Sequence, residues 1–91
     1  MKMPIIWIND FDAGEQLNKI EEELDELILE DEGTPEELAE ALDIIQATLT
    51  YILHVHPIAA IEKALDEHYK KITGRKHDVG GVLNFTSLEV L

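Results

Sequence analysis

In the first third of the chain, apolar residues recur at helical spacing: Leu17, Ile20, Leu24, Leu27 and Ile28 share one stripe when successive residues are turned by about 100°. Asp12-Ala13-Gly14-Glu15 precedes the stripe, with an N-cap carboxylate followed three residues later by a glutamate, the capping-box spacing. This predicts a helix that begins at Ala13 and stops at Gly33. Thr34-Pro35-Glu36-Glu37 repeats the grammar, with Thr34 as N-cap, Pro35 at the first helical position and Glu37 reaching back. A second helix is predicted from Pro35 to about Val55, joined to the first by a loop so short that the two lie antiparallel. Pro57 forbids simple continuation and opens a third helix with His56 near its N-cap. Ile58, Ile61, Leu65, Tyr69 and Ile72 form its apolar stripe, and Gly74 ends it.

The flanks are less periodic. Ile5, Ile6, Trp7 and Ile8 are β-prone and run into the turn-forming Asn9-Asp10, while residues 79–91 form an apolar tail interrupted by Gly80-Gly81. Each flank reads as a short strand or as an arm laid over a partner subunit. The expected fold is therefore all-α. It comprises a helix hairpin and a third helix, completed into a bundle by oligomerisation, with short irregular or strand-like tails. Residues 1–11 are read as an N-terminal arm, 12–75 as the helical domain and 76–91 as a C-terminal tail.

Composition narrows the partners. The 91 residues include 20 Asp and Glu against 7 Lys and Arg, a formal charge of −13, so no broad basic face exists for nucleic acid or for an anionic membrane. With no cysteine there is neither a disulfide framework nor a thiolate zinc site, and the expected compartment is the cytoplasm. The apolar run at residues 3–8 is too short for a signal-peptide core or a membrane span. A chain of this size buries only roughly 60 to 65% of its unfolded surface, which favours a homodimer or homotetramer.

Most of the carboxylates read as solvated helix surface. The second helix differs: Leu38, Leu42, Ile44, Ile45, Leu49, Tyr51, Ile52, Leu53 and Val55 cover most of its circumference, which predicts a buried helix. Glu36, Glu40, Asp43, Thr50 and His54 are confined to a narrow strip, interrupted by the small Ala47. On the first helix Glu23 and Glu26 form an i, i+3 pair beside the apolar stripe, as Glu40 and Asp43 do on the second. Opposed across a hairpin, four carboxylates without neutralising partners repel strongly, and a hard divalent cation relieves that repulsion. All-oxygen ligands favour Mg²⁺ or Mn²⁺ over Zn²⁺.

The run Lys19-Ile20-Glu21-Glu22-Glu23-Leu24-Asp25-Glu26-Leu27, with Glu40-Ala41-Leu42-Asp43 beginning thirteen residues on, resembles the E-x-x-E…E-x-x-D signature of the MazG-like, all-α nucleoside triphosphate pyrophosphohydrolases. His68-Tyr69-Lys70-Lys71-Ile72-Thr73-Gly74-Arg75 is similar to the H-x-x-K-x-x-x-R ending of short phage and bacterial members. Many members have Gly or Ala where Leu42 stands, a position that need not touch metal. The resemblance implies that Glu23, Glu26, Glu40 and Asp43 bind Mg²⁺, with Glu22 as an accessory carboxylate or catalytic base. It also implies cleavage of a (deoxy)nucleoside triphosphate, or a related nucleotide such as phosphoribosyl-ATP, between the α and β phosphates to a monophosphate and pyrophosphate.

Leaving-group charge needs cations, and Lys63, Lys70, Lys71, Arg75 and Lys76 put five of the seven basic residues in one 14-residue window. His68, Lys71 and Arg75 are spaced to line one flank as substrate-binding residues, although cations near a helix C-terminus also complement its dipole. His54-x-His56 straddles a helix end without a third ligand and reads as a capping or solvated pair, and Trp7 and Tyr51 read as core. The rival to an enzyme is a non-catalytic acidic helical module that binds a basic partner or mimics nucleic-acid charge. Such a mimic needs dispersed carboxylates rather than opposed pairs.

Overall fold

A computed structural model describes residues 2–75 and 79–83. Three helices account for the regular structure among them: α1 (Ala13–Leu29), α2 (Pro35–Val55) and α3 (Ile58–Thr73). No strand is present in these residues, so the chain is all-α and the strand alternative for residues 2–10 and 79–83 does not hold. Residues 76–78 and 84–91 of the predicted tail, including Lys76, lie outside the described residues.

The helix starts follow the side-chain chemistry. Asp12 Oδ1 accepts from the Glu15 N–H at 2.9 Å, and Thr34 Oγ1 accepts from the Glu37 N–H at 3.2 Å. Glu37 reaches back, but to the Gly33 N–H at 3.1 Å, while the Thr34 N–H donates to the Asp31 carbonyl. The first helix ends at Leu29, earlier than the stop expected at Gly33. Its last turn holds no cation, and the following Glu30, Asp31 and Glu32 place negative charge at the negative end of the helix dipole. Gly33, at φ +82°, instead makes the left-handed step into α2. His56 is the C-cap of α2, its N–H donating to the Ile52 carbonyl, and Pro57 rather than His56 occupies the N-cap of α3.

Helix–helix packing among the described residues is mainly that of the α1–α2 hairpin, and the most buried part of its contact is polar. Gln16 Nε2 donates to the Ala47 carbonyl at 2.9 Å, and Gln16, Ala47 and Thr50 are the buried residues. Thr50 satisfies its hydroxyl on the Gln46 carbonyl of its own helix. Ala47 has the small side chain that lets α1 approach the α2 backbone closely enough for the Gln16 bond. This overturns the expectation of a buried α2. With one neighbouring helix on one side, Leu38, Leu42, Ile45 and Val55 remain exposed. The α1 stripe splits likewise, Ile20 and Leu27 being half-buried while Leu17, Leu24 and Ile28 face out.

The N-terminal arm lies over its own α2. Gln46 Nε2 donates to the Pro4 carbonyl at 2.8 Å, and the Ile8 N–H donates to His54 Nε2 at 3.0 Å. His54 Nδ1, 2.7 Å from the Thr50 carbonyl, then carries the ring proton, so both nitrogens are used by one neutral tautomer. Trp7 and Phe11 stack on the same imidazole at centroid distances of 4.5 and 4.4 Å. Trp7 is thus a largely exposed clamp rather than core, and His54 is an anchor rather than a solvated residue. We predict that His54→Ala costs about 1–3 kcal/mol, from two aromatic contacts and two hydrogen bonds. Denaturant melts and Trp7 emission check this: unchanged stability with unchanged emission would show that the arm is held elsewhere.

Candidate metal centre

Helical periodicity delivers the carboxylates to one place. Glu40 and Asp43 share the α2 strip that contains Ala47 and Thr50, so the face that meets α1 also carries acid. Glu23 lies seven residues from Gln16 on α1 and is turned toward the same seam. One oxygen from each of Glu23, Glu40 and Asp43 falls within 4.8 Å of the others. Glu23 and Glu40 are half-buried and Asp43 is exposed, leaving the group open to solvent on one side. Glu26 stands outside this trio but close enough to act on both Glu23 and Glu40.

Burial is the first cause that raises the Glu23 carboxyl above its ordinary value. The charges of Glu26 and Asp43 add to it, Lys19 opposes it, and hydrogen bonding with Glu26 contributes last. Glu40 is raised first by burial, then by sharing a proton with Glu26, then by the charges of Glu26, Asp43 and Glu23. With every carboxylate ionised no donor remains, and Glu40 Oε2 is buried without a hydrogen-bond partner. A proton or a cation supplies what it lacks. Mg²⁺–oxygen bonds of about 2.1 Å put adjacent ligands about 3 Å apart and opposite ones about 4.2 Å apart, so the trio, within 4.8 Å, would close in around one ion by side-chain rotation. The donor set, the spacing and the orphaned oxygen all fit a hard divalent cation.

Other residues singled out from the sequence are placed apart from this group. Glu22 is exposed and not among the clustered ligands. His68, Lys71 and Arg75 are on or just past α3, all exposed, and α3 packs too little on the hairpin to bring them to the carboxylates. His68 lines a shallow crevice with Ile52, His56, Ala60, Ile61, Ala64 and Leu65. Among the described residues the one ion pair is Lys70–Asp66 at 3.0 Å, exposed and internal to α3. Lys19, the first residue of the motif run, stands at i, i+4 to Glu23 and is the cation that acts on it.

Because the folded protein holds Glu40 and Glu23 above the ordinary 4.5, it binds more protons than the unfolded chain over that interval. Stability therefore falls as pH rises from about 4.5 through the raised values, and the ionised cluster is a standing cost above them. We expect Glu40→Gln to stabilise the metal-free protein at pH 7, with the gain vanishing below pH 4.5 where Glu40 is protonated in both states. We also expect millimolar Mg²⁺ to raise the melting temperature of the wild type but not of Glu40→Gln. Thermal melts across pH, with and without Mg²⁺, decide both; a Glu40→Gln protein less stable at pH 7 would mean that the carboxylate is already compensated. No family model, curated protein or solved structure matches the chain, so the chemistry of the cluster is argued from its own geometry.

Proposed function

We propose that the protein is a Mg²⁺-dependent nucleotide pyrophosphohydrolase, with Mn²⁺ as a substitute. Its substrate is a (deoxy)nucleoside triphosphate or a related nucleotide, cleaved between the α and β phosphates to a monophosphate and pyrophosphate. The observation that carries this reading is the convergence of Glu23, Glu40 and Asp43 around an orphaned Glu40 oxygen. The resemblance of residues 15–76 to the MazG-like pattern supports it, since three of the four carboxylates of that pattern, Glu23, Glu40 and Asp43, are the ones that cluster. An all-surface charge mimic has no need to place carboxylates where they raise one another's pKa.

Glu23, Glu40 and Asp43 would hold the ion, with Glu26 as the fourth carboxylate against Glu23 and Glu40. A divalent ion held by these carboxylates would supply the positive charge that a triphosphate needs beside an acidic face and would make water more acidic. Glu22, next to Glu23 on the exposed side of α1, is the accessory carboxylate or the acceptor of the attacking water's proton. His68, Lys71 and Arg75 are proposed to contact the leaving phosphates once nucleotide is seated. That assignment requires α3 to approach a carboxylate group that it does not meet in the isolated chain.

The test is incubation with each common nucleoside triphosphate and Mg²⁺, measuring pyrophosphate and monophosphate together. Release of both in equal amounts is expected, and none from any of them would overturn the reading for common triphosphates. Asp43→Asn and Glu23→Gln should each abolish turnover with the helical circular dichroism intact. Undiminished activity in either would remove that residue from the metal set.

A further inference from the structure

Two side chains of α2 fasten the N-terminal arm. Gln46 Nε2 donates to the Pro4 carbonyl at 2.8 Å, and four residues further along the arm the Ile8 N–H donates to His54 Nε2 at 3.0 Å. The second fastening depends on charge state. His54 Nδ1 lies 2.7 Å from the Thr50 carbonyl and donates to it, so Nε2 keeps a lone pair for Ile8 only while the ring is neutral. An imidazolium carries a proton on both nitrogens, and no flip of the ring restores an acceptor. The Ile8 bond is partly buried, so its N–H reaches water only by moving outward.

We infer that His54 is a proton-sensitive latch, whose protonation releases residues 4–8 from α2 while the α1–α2 hairpin stays folded. The stacked rings do not hold the charged form in place. Trp7 and Phe11, at 4.5 and 4.4 Å, would attract an imidazolium, but Trp7 is 72% exposed and water screens that attraction. The opposed N–H groups of Ile8 and Nε2 meet instead at hydrogen-bond distance. No counter-charge intervenes. Among the described residues, the ionisable groups on the surrounding elements are Lys2 and Asp10 on the arm, Asp12 and Glu15 where α1 begins, and Tyr51 and His56 on α2. The one ion pair among those residues is Lys70–Asp66, so no carboxylate is paired with His54, and Asp12 already accepts from the Glu15 N–H. Loss of the Ile8 bond leaves the exposed Gln46–Pro4 bond, which alone is too weak to offset the entropy of ordering the arm.

Acid acts on the hairpin in the opposite sense. Burial and neighbouring charge raise Glu23 and Glu40 above their ordinary value, so the hairpin gains stability as pH falls toward 4.5. Mild acid therefore loosens the arm without loosening the helices under it. Gln46, which holds the Pro4 end, stands three residues along α2 from Asp43, so departure of the arm uncovers the flank of α2 beside the carboxylates. The latch stands independently of the nucleotide reading, since it uses none of the residues assigned there to metal or substrate.

Solution NMR of the full chain from about pH 8 to about pH 5, the interval in which histidines change charge, tests this. As the His54 ring signals titrate, the cross-peaks between Trp7 and His54 are expected to vanish and the heteronuclear NOE of residues 5–8 to fall. Release should rise by at most about tenfold per pH unit, the slope set by one proton. The α2 amides and the circular dichroism should stay as they are at pH 8. Titration of His54 with its Trp7 contacts kept would overturn the inference, as would a ring that stays neutral until the helices unfold. In His54→Ala the pH step in the arm should be absent, and a step of wild-type size would assign it to another group and overturn the latch. Should that variant fail to fold, His54→Gln, whose amide oxygen offers Ile8 an acceptor that takes no proton, should likewise show no step. Trp7 is the single tryptophan, so acrylamide quenching of its emission gives a second readout. Quenching should increase as the arm leaves; dimmer emission with unchanged acrylamide access would mean an imidazolium still stacked on Trp7, and would count against release.

Discussion

The rest of the structure depends on which face of α2 meets α1. A helix that is apolar over most of its circumference would ordinarily bury its most apolar side, yet here the contact runs through Gln16, Ala47 and Thr50. The cross-helix bond from Gln16 to the Ala47 carbonyl needs close backbone approach, which Leu or Ile at position 47 would prevent. Rotating α2 by half a turn would bury Leu42 and Ile45 but would strand the Gln16 amide and carry Glu40 and Asp43 into water. One choice of contact face therefore produces both the acid cluster in the hairpin seam and the apolar seam on the outside.

The cluster is a cost that the hairpin accepts. Glu23 and Glu40 are raised by burial before any neighbouring charge is counted, and Glu26 and Asp43 add repulsion that Lys19 offsets only at Glu23. Such an arrangement weakens a domain in which Ala47 is the one fully buried apolar residue among those described. A proton or a cation would answer the repulsion inside the seam, but neither reaches the apolar side of α2, which stays largely uncovered among the described residues.

The helices were legible in the sequence because their ends are written in side-chain chemistry. Asp12, Thr34 and Pro35 fix the starts, and Pro57 and Gly74 bound α3, all through local hydrogen bonds and backbone restrictions that need no tertiary information. The approach of Glu23 to Glu40 and Asp43 was legible from their spacing on two antiparallel helices, whereas Glu26, expected in the same set, stands outside the trio. The orientation of α2 was not. A hydrophobic wheel shows how much of a helix is apolar, but a single chain does not say whether a neighbour inside or outside it covers that surface. Gly33 was misread because a glycine after a helix serves equally as its stop or as the turn into the next, and the acidic Glu30 to Glu32 decided for the turn. His54 was missed because its partners, Ile8, Trp7 and Phe11, lie more than forty residues away.

Charge separation along the chain sets what the cluster can bind. Lys63, Lys70, Lys71 and Arg75 sit on or beside α3, which packs little on the hairpin, and Lys70 is engaged by Asp66 of its own helix. Among the described residues the cations therefore leave the Glu23, Glu40 and Asp43 oxygens unneutralised apart from Lys19, which acts on Glu23. A monovalent ion in the open, half-buried group gains little beyond screening, whereas a divalent ion collects attraction from three or four carboxylates and gives Glu40 Oε2 its missing partner. Protons compete for the same oxygens, and the conditions that favour a protonated Glu40 are those that exclude the ion. Were a hard divalent cation to bind there, its occupancy and the ionisation of Glu40 would be a single linked event, because both require the proton to leave the same half-buried oxygens.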